Sequence, residues 1–205
     1  MKTLLTLIIF LIIPLQASAI IYEVDFDFGY EKQIYGSTRE NSTVSRTYSG
    51  GISAYLFELT AIDFTAARTL EVNTQNERYK VTGYTVDVVG DVSRITTDVY
   101  GVGIKQMFAG RNSFIVPILS LGYAKQFVEY KREVTFENTT TLSRFPGNYD
   151  TVKQRVDSMM GAFILQFKMT DRLSLKGSVK TLIPAFDFNQ ARDNLKYAVG
   201  FSWIF

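Results

Sequence analysis

Glu23, Asp25 and Asp27 fall at alternate positions of Tyr22–Tyr30, so three carboxylates share one face of an extended segment. Asp25 and Asp27 could pair as acid and base if one carboxyl were held neutral beside the other. The rest of the chain offers little to complete a reaction centre. It contains no histidine, so the usual base for a serine nucleophile is missing. It contains no cysteine either, which removes thiolate metal sites and a disulfide framework. No catalytic, metal or cofactor-binding residue is assigned, and the chain is expected not to be an enzyme. Two aspartates two apart on a strand read more readily as partners of basic groups. The polar faces along the chain collect Glu23, Asp25, Asp27, Glu58 and Asp63 against Lys105, Lys168, Lys176, Lys180 and Lys196. Neighbouring carboxylates repel unless bases face them, and this balanced set suits a closed structure that pairs its charges internally.

The elements that would position these residues follow from alternation. Tyr22, Val24, Phe26, Phe28 and Tyr30 oppose the three acids and define a first strand. Ser37 to Gly50 is polar and reads as a long loop. Gly51 to Phe57 forms a second strand, with Tyr55 and Phe57 on its apolar face, and Ala61 to Glu71 a third. Asn73 to Ser93 reads as a long connection whose arms extend the flanking strands. A fourth strand, Thr96 to Phe108, sets Tyr100, Val102 and Ile104 against Gly101, Gly103 and Lys105. The fifth, Ser113 to Tyr130, contains Pro117, which cannot donate to a ladder, so a bulge or gap in pairing is expected there. Lys131 to Val156 is the longest polar insertion. Strands six and seven, Asp157 to Met169 and Leu173 to Leu182, flank a tight turn, and Pro184 to Asp193 is a moderate loop. The connections therefore alternate between long and short, which puts tight turns on one rim and longer loops on the other.

The final stretch, Tyr197 to Phe205, is the eighth strand. Tyr197, Val199, Phe201, Trp203 and Phe205 alternate with small Ala198, Gly200 and Ser202. Aromatics on one face and small residues on the other suit a wall with lipid outside and a crowded interior. At the other end, Lys2, the apolar run Leu4 to Leu15 and the small-x-small pattern Ala17-Ser18-Ala19 read as a cleavable signal peptide over residues 1–19. About a dozen apolar residues are too few for a membrane helix, which needs roughly 20. Residues 20–205 then form one domain. The formal net charge of +2 gives no reason to expect nucleic acid as a partner.

Together these residues resemble the small bacterial outer-membrane β-barrel family, the eight-stranded group that includes outer-membrane protein X and the barrel domain of outer-membrane protein A. The resemblance rests on the Tyr197–Phe205 pattern, the turn at Met169 to Leu175, and the strand cores Gly101–Gly103 and Leu121–Tyr123. It implies an all-β, eight-stranded antiparallel transmembrane up-and-down barrel in the cell outer membrane. It also implies outer-membrane lipid and lipopolysaccharide as surroundings. Periplasmic chaperones and the barrel-assembly machinery would then be partners, the latter reading the terminal aromatics as an assembly signal. The expected function is structural or surface-interacting, as a monomer, with a lumen filled by paired charges and possible ligand contacts through loops 37–50 and 131–156. Two alternatives stay open: a small ion or solute pore, and a soluble periplasmic, lipocalin-like ligand-binding barrel with its aromatics turned inward.

Overall fold

The computed structural model describes residues 21–36, 39–110, 112–184 and 195–205. The expected signal peptide, with Ala17 and Ala19, and the loop expected over 185–193 lie outside the described residues. Ten strands form one antiparallel sheet: β1 (Ile21–Tyr35), β2 (Asn41–Tyr55), β3 (Thr60–Gln75), β4 (Tyr79–Lys80), β5 (Val86–Met107), β6 (Ile115–Asn138), β7 (Arg144–Asn148), β8 (Val152–Lys168), β9 (Leu173–Pro184) and β10 (Leu195–Ile204). Eight of them close into a ring. Each pairs with its successor in the order β1, β2, β3, β5, β6, β8, β9 and β10, and β10 returns to β1 through Glu23↔Ile204 to Phe28↔Val199. Short β4 and β7 are additions, pairing with the upper ends of β5 and β6.

The sidedness of the wall is the reverse of a soluble protein's. Phe201 is 49% exposed while its neighbour Ser202 is 0% exposed, and Tyr100 and Ile104 are 58% and 60% exposed beside fully enclosed Lys105. Glu23, Asp25 and Asp27 point into the barrel, and Tyr22, Phe26, Phe28 and Tyr30 point out. Soluble monomers rarely expose continuous apolar surface on this scale. The inverted, lipocalin-like arrangement is thereby contradicted.

Several sequence-level boundaries are corrected. Asn41–Gly50 is not loop but the first part of β2, laddered to β1 from Tyr35↔Asn41 onward. Its inward positions Thr43, Ser45, Thr47 and Ser49 carry hydroxyls, so the segment reads as polar although it alternates as a strand. Lys131–Asn138 likewise continues β6, and 152–156 opens β8, leaving β7 inside the insertion. β3 and β5 run on through Gln75 and from Val86, as the extended arms required. Tyr55 faces inward and is buried, contrary to its expected outward position, while Phe57 stands exposed in the turn beyond it. Pro117 keeps its register opposite Leu165 without a bulge. It sits just past the end of the β5–β6 ladder, where its carbonyl still accepts from Phe108 N at 2.9 Å and few partners are left to miss its N–H. The register shift occurs instead between Val88 and Gly90.

A membrane crossing takes roughly 9–11 residues of tilted strand. β5 and β6, with 22 and 24 residues, extend far beyond that on the rim of the long connections. The opposite rim holds the tight turns and the end of β10, where Ile204 N donates to Arg172 O (2.8 Å) and Phe205 N to Tyr22 O (2.9 Å).

Inside, Gly101, Gly103 and Gly122 leave room for the Met160 side chain, and a Cβ added at Gly122 would strike both the Val102 carbonyl oxygen and the Met160 methyl. Gly122→Val should therefore cost about 1–3 kcal/mol through overpacking. The expected readout is a lower temperature for the gel-mobility change that accompanies unfolding in detergent. Gly177→Val, where nothing lies within 4 Å of the added Cβ, should leave that temperature nearly unchanged.

Candidate functional site: the barrel interior

Eight strands enclose a bore just wide enough for side chains. β1 supplies Glu23, Asp25 and Asp27 to one wall of it, β5 supplies Lys105, and β9 supplies Lys176 and Lys180. Lys180 Nζ lies 2.5 Å from Asp27 Oδ2. Lys176 Nζ sits between Asp27 Oδ1 (3.0 Å) and Asp25 Oδ1 (2.8 Å). Lys105 Nζ sits between Asp25 Oδ2 (3.1 Å) and Glu23 Oε2 (2.9 Å). Acid and base thus alternate along the axis. Each of the two deeper lysines bridges successive carboxylates that would otherwise repel.

Hydroxyls complete the network. Tyr55 OH donates to Glu23 Oε2 (2.5 Å), and Ser53 Oγ donates to Asp63 Oδ1 (2.9 Å) while accepting from Lys105 (3.3 Å). Ser49 Oγ accepts from Lys180 (3.0 Å) and faces Asp27 Oδ2 (3.2 Å). Below the charges, at the tight-turn rim, Tyr55, Ala61, Met107, Val116, Ile118 and Ile164 pack into an apolar cluster across the bore.

Of the ten charged residues singled out in the sequence, seven meet in this network: Glu23, Asp25, Asp27, Asp63, Lys105, Lys176 and Lys180. Lys196 is inside but, among the described residues, bonds only the Thr69 hydroxyl, at 3.1 Å. Glu58 is not in the bore. It stands exposed in the turn after β2, because the alternation ends with the strand at Tyr55. Lys168 turns to the tight-turn rim and pairs with exposed Asp171 at 3.0 Å. Sequence reading missed Tyr55, Ser49 and Ser53. Their shared inward parity on β2, with Ser53 opposite Glu23 and Ser49 opposite Asp27, was the available signal.

Two further features lie away from this network. On the outer wall, Gly50 and Ala66 leave a dip of about 580 Å³ between Phe26, Tyr48 and Tyr100; it contains none of the paired lysines. On the extended rim, Arg78 contacts both Asp87 (3.0 Å) and Glu137, and Arg144 Nε donates to Glu137 Oε2 at 2.8 Å. Glu137 thus ties β7 and the segment before β4 to the β5–β6 hairpin.

Comparisons with known proteins bear on the fold. No family model matches the chain, and no curated protein matches its sequence. Among solved structures, the N-terminal β-barrel domain of Pseudomonas aeruginosa OprF matches over 90% of this chain and 97% of that domain, at 13% identity and a TM-score of 0.50. The chain has the fold of an eight-stranded outer-membrane β-barrel. Weaker similarities link this barrel to Ail, the attachment invasion locus protein of Yersinia pestis (10% identity, 91% and 97% coverage, TM-score 0.44). Neisserial surface protein A is similar at the same level (10% identity, 90% and 94% coverage, TM-score 0.40).

The Arg144 hydrogen bond, aided by the charge of Arg78, holds the Glu137 carboxyl of this barrel's rim below the usual glutamate range. A lowered folded-state value means that the stabilisation is complete above the ordinary glutamate pKa and is lost as pH falls through the lowered one. Proteolysis of the 139–151 segment should therefore be slow near neutrality and rise below about pH 4. Glu137→Gln should show the faster cleavage already at neutral pH. Equal cleavage of both proteins at every pH would remove this role for Glu137.

Proposed function

We propose that this chain is an outer-membrane protein of structural or surface-interaction type whose lumen is closed by paired charges. The observation that carries the reading is the unbroken alternation Lys180–Asp27–Lys176–Asp25–Lys105–Glu23 across the bore, backed by the apolar cluster beneath it. Such a filling occupies the bore with paired charged side chains, which favours it over the small-pore alternative. The barrel sits as a monomer in outer-membrane lipid, beside lipopolysaccharide, after export on the 1–19 signal peptide with cleavage behind Ala19. Tyr197, Val199, Phe201, Trp203 and Phe205 act as the signal read by the assembly machinery after periplasmic chaperones have delivered the chain. The extended rim faces outward, where 37–50 and 131–156 offer contact surface to a partner. No catalysis is assigned, since neither a histidine nor a cysteine is present to complete a reaction centre.

Reconstitution in liposomes tests the closed lumen. The folded protein should give no swelling in small sugars. Asp25→Ala should still give none, although it leaves Lys105 and Lys176 each short of a carboxylate and destabilises the barrel by about 3–5 kcal/mol, as for a broken buried ion pair. Sugar-driven swelling by the unmodified protein would overturn the closed-lumen reading. For the assembly signal, deletion of Phe205 should lower the amount of folded, heat-modifiable protein in the outer-membrane fraction. Unchanged membrane levels would remove that role from the terminal aromatics.

A further inference from the structure

Three of the four lysines inside the barrel, Lys105, Lys176 and Lys180, lie 2.5–3.1 Å from a carboxylate. Lys196 is the exception. Its ammonium donates to Thr69 Oγ1 at 3.1 Å and has no carboxylate within ion-pair distance among the described residues. The register makes this costly. Lys196 stands directly opposite Lys180 on β9, and like charges facing each other across a ladder repel. Continued upward, the β1–β10 register would set Glu31 opposite Lys196. The ladder stops three pairs earlier, at Phe28↔Val199, while β1 runs on alongside β2. Glu31 is thereby held away from the amine it would otherwise meet. Glu71 stands level with it two strands further on, through Glu31↔Ser45↔Glu71.

Between these opposed groups lies a cavity of about 350 Å³ near the extended rim, lined by Lys196, Glu31, Glu71, Thr97 and Gln126 and bounded by the ends of β9 and β10. Lys196 and Thr69 also form part of the wall of a second, deeper cavity of about 110 Å³ that reaches down among Asp25, Lys105 and Lys176 of the charge network. An amine on β10, a carboxylate on neighbouring β1 and a second on β3 make an ion pair left open across a space. A ligand carrying both charges closes such a gap, with each end meeting its opposite and its middle meeting neutral hydrogen-bonding groups. A simple anion would gain Lys196 but face Glu31 and Glu71, and a simple cation would meet the reverse difficulty.

We propose that the upper lumen binds a small zwitterion of amino-acid or dipeptide size, its carboxylate on Lys196 and Thr69 and its ammonium toward Glu71 and Glu31. The test is calorimetric titration of the folded protein in detergent micelles with L-alanyl-L-alanine, and with acetate and methylammonium as single-charge probes. Saturable binding of the dipeptide is expected, with both single-charge probes weaker by about ten-fold or more. Lys196→Met and Glu71→Gln should each weaken the dipeptide by about ten-fold. Thr69→Val, which keeps all charges, should weaken it less and serves if Lys196→Met fails to fold. Absence of saturable binding at about 10 mM dipeptide overturns the site. Acetate binding as tightly as the dipeptide overturns the zwitterion, and unchanged affinity in Lys196→Met or, where that variant does not fold, in Thr69→Val overturns the placement. Heat-modifiability on a gel, read on the same samples, reports the barrel independently of the ligand.

Discussion

Everything in this barrel is arranged around the confinement of three carboxylates, Glu23, Asp25 and Asp27, to one wall of a bore too narrow to hydrate them. The closed sheet satisfies the backbone within the protein and frees the outer wall to be apolar, as a membrane-spanning structure requires. The same closure leaves charge nowhere to go but inward. Lysines from β5 and β9, remote in sequence, must therefore reach between the acids of β1. Their long flexible stems allow two of them to bridge successive carboxylates.

Such a filling specifies geometry more than it adds stability. Desolvating ions offsets much of their mutual attraction, so an apolar interior of equal volume could be as stable. The alternating ions instead penalise any slip of β1 against β9 or β5, since a one-residue shift would turn the acids outward to lipid. The apolar cluster at the tight-turn rim has the complementary role. It fills the lower bore with Ile118, Ile164, Val116 and Met107, beneath Glu23, which Tyr55 of the same cluster reaches with its hydroxyl.

Toward the extended rim the interior loosens. The β1–β10 ladder ends early, hydroxyls replace ions on β2, and the cavity of about 350 Å³ lies there. Above the wall, Glu137 and Asp87 hold arginines that anchor the extra strands to the β5–β6 hairpin.

Much of this was written in the order of residues. Alternation along β1, β3, β5 and β10 determined strand identity and which side chains share a face, because side-chain direction in a strand reverses at every residue. The acids, the lysines and the missing histidine were legible for the same reason. Boundaries were less so: β2 and upper β6 line the lumen or stand above the wall, where polar residues sit on both faces and the apolar period disappears. Register, and with it the partner of each lysine, was decided only by closure. Lys176 meets Asp25 and Asp27 while Glu58 meets neither, and Lys196 stands apart from Glu31, because the angle and height at which β9 and β10 come round to β1 belong to the whole ring and to no single strand.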